Sequence, residues 1–126
     1  MIHLLLVALG GAIGAGARHL VNLSALRLVA TSGFPVGTLF VNIIGSFAMG
    51  LAAGYFAFRG EGGMALRLFL TTGILGGFTT FSAFSLETVL LLERGQSGLA
   101  ALYVGGSVAG SVCGLVAGLA LVRALQ

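Results

Sequence analysis

The stretch Gly73–Ser85 reads GILGGFTTFSAFS, and it interrupts a run of residues that is otherwise suited to a membrane-spanning helix. Glycines, hydroxyls and phenylalanines crowd a segment that is apolar on both sides. A chain embedded in lipid can release backbone groups from a helix only where protein or a water-lined path satisfies them. Half-helix ends meeting near the bilayer midplane are a feature of transport proteins. The expectation from this stretch is a channel or transporter whose working site is the break.

Composition sets the solvent for the whole chain. Of 126 residues, 58% are hydrophobic and 7% are charged, and the mean hydropathy is +1.14. A water-soluble globule presenting so much apolar surface would aggregate, so the chain reads as an integral membrane protein. Its six basic side chains are all arginine, scattered singly between apolar runs, and the net charge is +3. They read as interfacial anchors, not as a nucleic-acid surface. Cys113 has no partner in the chain, which excludes an intrachain disulfide. The run Leu4–Leu9 followed by Ala15-Gly16-Ala17 imitates a secretory signal, but no basic residue precedes Arg18, so the segment is expected to stay as a mature helix. Asn22-Leu23-Ser24 matches a glycosylation sequon without any secretory context to support it.

Four apolar segments follow, Ile2–Leu20, Val36–Phe58, Leu66–Leu92 and Leu99–Val122, each of the length that a bilayer core of about 20 helical residues demands. The connectors are Asn22–Pro35, holding the only proline and a Thr31-to-Pro35 turn, then Arg59–Gly63, then Glu93–Gly98. Residues 1–126 are therefore expected to form one four-helix transmembrane domain with no soluble lobe for a nucleotide or large substrate. Four spans put both termini on one face. Arg59, Arg67 and Arg123 share that face, against Arg18, Arg27 and Arg94 on the other. Because arginine bias sets insertion direction, three against three leaves the direction undetermined and predicts dual topology. With 22 glycines the helices can approach closely. A path would form more easily between two chains than within one, and the simplest assembly is an antiparallel homodimer with its two-fold axis in the membrane plane.

Stripes of small and polar residues run along the spans. In the second, Thr38, Asn42, Ser46, Gly50 and Gly54 recur every fourth residue and share a side. Ser46, Gly50 and Gly54 read as packing surface, whereas Thr38 and Asn42 are open to packing and to pore lining alike. An amide in hydrocarbon is costly unless paired, so Asn42 should face protein or water. In the fourth, Gly106, Gly110, Gly114 and Gly118 form a ridge for close helix contact beside Tyr103, Ser107 and Ser111. Those hydroxyls suit either a ladder of donors for an anion or bonds back to carbonyls four residues earlier. In the first, Gly10, Gly14 and Arg18 share a stripe, and GGAIGAG lacks the spacing of a dinucleotide fingerprint. His3 and His19 sit at segment ends, and no His, Cys or acidic cluster has metal-ligand spacing. No serine has a His and an acid arranged near it in sequence, so nothing points to an enzyme.

In the third span, Gly73, Gly76 and Gly77 weaken the helix just before Thr79, Thr80 and Ser82. Carbonyls exposed at such a joint suit a small cation, and N–H groups at the start of the second half-helix suit an anion. Phe81 and Phe84 project to one side. Their ring edges are electropositive and could meet a small anion without trapping it, although phenylalanines at this spacing are also ordinary core or lipid-facing residues. Glu87 is the only acid inside a span. It either snorkels to the interface or faces a polar path with Thr38 and Ser82.

Three ordered runs, GGAIGAGAR at Gly10–Arg18, GTLFVNIIGSF at Gly37–Phe47 and GILGGFTTFSAFSLE at Gly73–Glu87, resemble the Fluc/CrcB family of fluoride channels over essentially the whole chain. The resemblance implies an all-α, four-helix membrane protein of the bacterial plasma membrane, broken in its third helix, that dimerises with an inverted copy and exports fluoride passively. It implies two fluoride pores per dimer, with Phe81 and Phe84 as aromatic box, Asn42 as pore donor, and Tyr103, Ser107 and Ser111 as fourth-helix hydroxyls. It further implies Thr38, Ser82 and Glu87 as a polar track, Arg18 at the vestibule, and a central structural sodium ion on the carbonyls of Gly76 and Thr79 from both subunits. Two departures stand out: Ala83 replaces the second threonine of the commoner TTFSTFS run, and His19 stands where an aromatic is usual. The rival reading, a proton-coupled small multidrug transporter, needs a carboxylate in the first helix, and Met1–Ala17 holds no acid. A non-transporting membrane anchor subunit would leave the broken helix unexplained.

Overall fold

The structure is a computed structural model that describes residues 1–29, 33–60 and 62–126. The elements are α1 (Ile2–Leu28), α2 (Val36–Arg59), α3 (Gly63–Leu68), a π-helical stretch (Phe69–Leu75), α4 (Gly76–Phe78), α5 (Phe81–Glu93) and α6 (Ser97–Ala124). Among the described residues, four helical segments are long and apolar enough to cross a membrane: Ile2–Leu28, Val36–Arg59, Gly63–Glu93 and Ser97–Ala124. Thr31 and Ser32 of the first connector and Glu61 of the second lie outside the described residues.

The interior is small and the exterior is oily. Among the described residues, the buried apolar side chains are Val41, Leu91, Ala100 and Tyr103, while Leu4, Leu9, Ile13, Leu102, Val112, Val116 and many others face outward. That inversion suits a surface solvated by acyl chains. Leu91, Ala100 and Tyr103 gather Phe34, Leu39, Phe84 and Leu99 around them where α5 turns into α6. The turn itself is a Schellman closure. Gly95 adopts φ +73, its N–H bonds the Leu92 carbonyl and the Gln96 N–H bonds the Leu91 carbonyl, a conformation that glycine tolerates best.

Glycines set the helix contacts. The most extensive pairing joins α2 to α6, and α1 lies along the π-helical stretch and α4. Gly50 abuts the Leu115 carbonyl, Gly118 the Phe47 carbonyl and Gly54 the Val122 side chain, so a side chain at any of them would collide. Gly110 and Gly114 face Ile43, whereas the space beside Gly106 is open. The expected four-glycine ridge therefore packs through three. On the other face, Gly10 approaches Gly73 and Gly14 meets the Ile74 carbonyl.

One boundary differs markedly from the sequence expectation. Helix α1 runs to Leu28, not Leu20, since no glycine or proline falls between Ala17 and Leu28 and the Ser24 hydroxyl bonds back to the Leu20 carbonyl at 2.9 Å. Arg18 is thus not near the helix end but ten residues before it (28 − 18), about 15 Å at 1.5 Å per residue. The break in the third span falls inside the expected stretch, just after its glycines. Gly73, Gly76 and Gly77 stay helical, and Gly77 is needed for close approach to Gly11. The chain opens at Thr79 (φ −79, ψ 157) and Thr80 (φ −152, ψ 123).

Candidate functional site

Thr80 is held from three directions. Its N–H donates to Asn42 Oδ1 at 2.8 Å, and its carbonyl accepts from Asn42 Nδ2 at 2.9 Å. Its hydroxyl accepts from the Ala83 N–H at 3.2 Å, capping α5. An amide side chain one helix away thereby takes the place of the intrahelical bonds that the extended residues have lost, as burial of backbone groups in an apolar medium requires. Asn42 is both a packing residue and a lining residue. Gly45, one turn on, makes room for the Thr79 methyl.

Beside this joint lies a cleft of about 310 Å³ whose lining includes Asn42, Thr79, Phe81, Phe84, Ser107 and Ser111. Ser46, read from sequence as packing surface, also opens onto it. The Phe81 and Phe84 rings stand side by side, centroids 5.4 Å apart. Phe84 continues to Tyr103 at 5.2 Å, and Phe34 meets Tyr103 edge-on at 5.7 Å. Phe81 is 78% exposed, so one chain alone does not enclose it.

Behind Phe84 the polar side chains are closely paired. Glu87 accepts from the Thr38 hydroxyl at 2.8 Å and from the Tyr103 hydroxyl at 2.6 Å. Glu87 thus joins Thr38 on a polar path, as the second of its two readings expected, while the Ser82 hydroxyl stands 3.4 Å from that of Thr80. A second cleft of about 280 Å³, with Asn22, Phe34, Thr38 and Glu87 in its wall, opens on the far side of this pairing. The sequence reading set Thr80 at the joint without a role of its own, and it missed Phe34. An aromatic just before the lone proline, and a threonine three residues before Ala83, were the only signals available.

The fourth-helix hydroxyls divide. Tyr103 points to Glu87, whereas the Ser107 hydroxyl is buried without a hydrogen-bond partner among the described residues and lies in the cleft wall. It does not bond back to its own helix as Ser85 and Thr88 do. Gly76 and Arg18 lie outside the cleft. No group of three or more His, Cys, Asp or Glu suited to a metal occurs among the described residues.

Four apolar spans among the described residues, one of them discontinuous, with a polar and aromatic cleft at the discontinuity, define a multi-pass membrane protein. The chain belongs to the CrcB family: the family model described as "CrcB-like protein, Camphor Resistance (CrcB)" matches residues 5–119. Among its relatives, a "Fluoride-specific ion channel FluC" of Rhodopseudomonas palustris (strain BisB5) is 60% identical over 121 residues, 96% of this chain and 97% of the relative. A "Fluoride-specific ion channel FluC 2" of Nitrobacter hamburgensis is 58% identical over 98% of this chain and 99% of the relative. A "Fluoride-specific ion channel FluC" of Methylobacterium nodulans is 57% identical over 98% of each. Family and spans together make this a multi-pass protein of the cell membrane.

Proposed function

We propose that the protein is a fluoride-selective channel that lets the anion leave the cell passively, down its electrochemical gradient. The observation that carries the reading is the cleft at the helix break, with Phe81, Phe84 and an unpartnered Ser107 hydroxyl on one wall, in a chain 60% identical to a fluoride-specific ion channel. Hydrogen fluoride is a weak acid that crosses bilayers uncharged and dissociates inside. A selective leak then suffices, because the membrane potential itself drives an anion outward. The drug-exporter alternative is not favoured.

Fluoride holds its water tightly, so a path must offer replacement donors at each step. The Phe81 and Phe84 ring edges supply positive quadrupole. Ser107 and then Ser111, one turn further along α6, supply hydroxyls, and Asn42 keeps one amide hydrogen beyond the one given to Thr80. Thr38, Glu87 and Tyr103 continue the polar track beyond Phe84, with Ser82 at the start of α5. Arg18 draws anions toward the vestibule.

An inverted second copy completes the path. The outward Phe81 ring and the even division of arginines support an antiparallel, dual-topology homodimer in the bilayer with two pores. A structural sodium ion at its centre would rest on the Gly76 and Thr79 carbonyls of both copies. Those residues fit it: the Thr80 N–H that would close a helical bond to the Gly76 carbonyl is given to Asn42, and Thr79 is extended. Backbone oxygens freed from a helix suit such a cation. When bound, it would supply fixed positive charge beside both pores.

Purified protein in liposomes tests the reading. Fluoride should leave rapidly and chloride barely, and Phe81→Ile or Phe84→Ile should slow fluoride release by about tenfold or more, a barrier rise of roughly 1.4 kcal/mol. Proton-coupled drug export with no fluoride flux would overturn it.

A further inference from the structure

We propose that Asn42 and Thr80 act as a pair of positioning residues whose side chains divert the two N–H groups that would otherwise occupy the carbonyls of Gly76 and Thr79, keeping those carbonyls available to a cation. The inference rests on the sodium reading above and deepens it, by naming what creates the site.

In an α-helix the N–H of residue i bonds the carbonyl of residue i−4. For Gly76 the partner would be the Thr80 N–H, and for Thr79 it would be the Ala83 N–H. Both are taken by side chains. The Thr80 N–H goes to Asn42 Oδ1 at 2.8 Å, and the Ala83 N–H goes to the Thr80 hydroxyl at 3.2 Å. Asn42 Nδ2 closes the other side of the same residue by donating to the Thr80 carbonyl at 2.9 Å, so Thr80 cannot rotate back into the helix without breaking two bonds at once. Neighbouring Thr79 shows what happens without diversion: its own N–H still bonds the Leu75 carbonyl at 3.0 Å, as does its hydroxyl.

The surroundings serve the same end. Gly45 leaves space for the Thr79 methyl against α2, and Gly77 lets α4 press against Gly11 of α1. The joint is therefore packed from two sides, while the N–H groups that a helix would give its carbonyls are engaged by side chains. Carbonyls left without a donor in an apolar medium are costly. A cation is the partner that offsets the cost at both positions together. Asn42 thus works on the cation through the backbone, in addition to lining the cleft.

Full-length protein purified in detergent tests the pair through the sodium concentration that gives half of the sodium-dependent rise in melting temperature, with N-methylglucamine chloride keeping ionic strength constant. Thr80→Val removes the hydroxyl that diverts Ala83 while preserving shape, and Asn42→Ala removes the carboxamide. Each should raise the half-maximal sodium concentration at least about tenfold, and Thr80→Ser should restore it. Phe81→Ile should slow fluoride efflux yet keep the native sodium response, which separates this site from the pore. A Thr80→Val protein with the unmodified sodium midpoint would overturn the proposal even if Asn42→Ala fails to fold. Absence of any sodium-dependent rise in the unmodified protein would remove the sodium reading and this inference together.

Discussion

Ser107 differs from the other hydroxyls of the membrane segments in being both buried and without a hydrogen-bond partner among the described residues. Ser24, Thr71, Thr79, Ser85 and Thr88 each return a bond to the carbonyl four residues earlier, but the Ser107 oxygen is buried and alone among the described residues. An orphaned buried polar atom costs about 1–3 kcal/mol, and a channel gains from it if the passing ion is its partner. Ser107→Ala should therefore leave the melting temperature unchanged or raise it while slowing fluoride efflux from liposomes. Loss of stability with unchanged efflux would show that the hydroxyl is structural. Tyr103 presents the opposite case. It is fully buried and donates to Glu87 at 2.6 Å, so Tyr103→Phe strips a donor from an intramembrane carboxylate. Hydrogen bonds to charged groups are worth about 1.5–3 kcal/mol, and chemical denaturation in detergent should show a loss of that order.

At the scale of elements, the α2–α6 contact is governed by backbone approaching backbone. A Cβ on Gly118 would meet the Phe47 carbonyl and stand 2.9 Å from the Leu51 nitrogen, neither of which can swing aside, whereas Gly98 at the start of α6 has open space beyond it. Gly118→Ala should cost about 1–3 kcal/mol through overpacking. Gly98→Ala should be neutral or slightly stabilising because alanine loses less entropy in a helix. Comparing the two by thermal melting separates packing from helix propensity. The same logic explains the third span. Its glycines, expected to weaken the helix, instead bring it against α1, and the opening falls two residues beyond Gly77, where Asn42 offers the backbone an alternative partner.

For the whole molecule, the arginine balance has a direct readout. Replacing Cys113 and placing a single cysteine at exposed Ser97, where the α5–α6 turn enters α6, should allow an impermeant thiol reagent to label about half the molecules from each side of the membrane if insertion is dual. Two extra arginines in the Arg59–Gly63 link should shift labelling strongly to one side and, by starving the inverted dimer of one partner, reduce fluoride efflux. One-sided labelling of the unmodified arrangement would exclude the inverted assembly. The exposed Phe81 ring belongs to this scale as well, since its enclosure depends on a second copy and not on its own helix.

Membership of the bilayer, the number of spans and the presence of a discontinuity in the third were legible in the amino-acid order, because hydropathy and the three-to-four-residue periodicity are properties of a single segment read along its length. The common side of Phe81 and Phe84 was legible for the same reason. Other features arise between segments and are absent from any one of them. Asn42 meets Thr80 across 38 positions, Tyr103 meets Glu87 across 16, and which hydroxyl stays unpaired depends on how α6 lies against α2. Those partnerships were decided only by the tertiary structure, since a hydrogen bond is a matter of a few tenths of an ångström between helices, and no pattern within one helix encodes where its neighbour will stand.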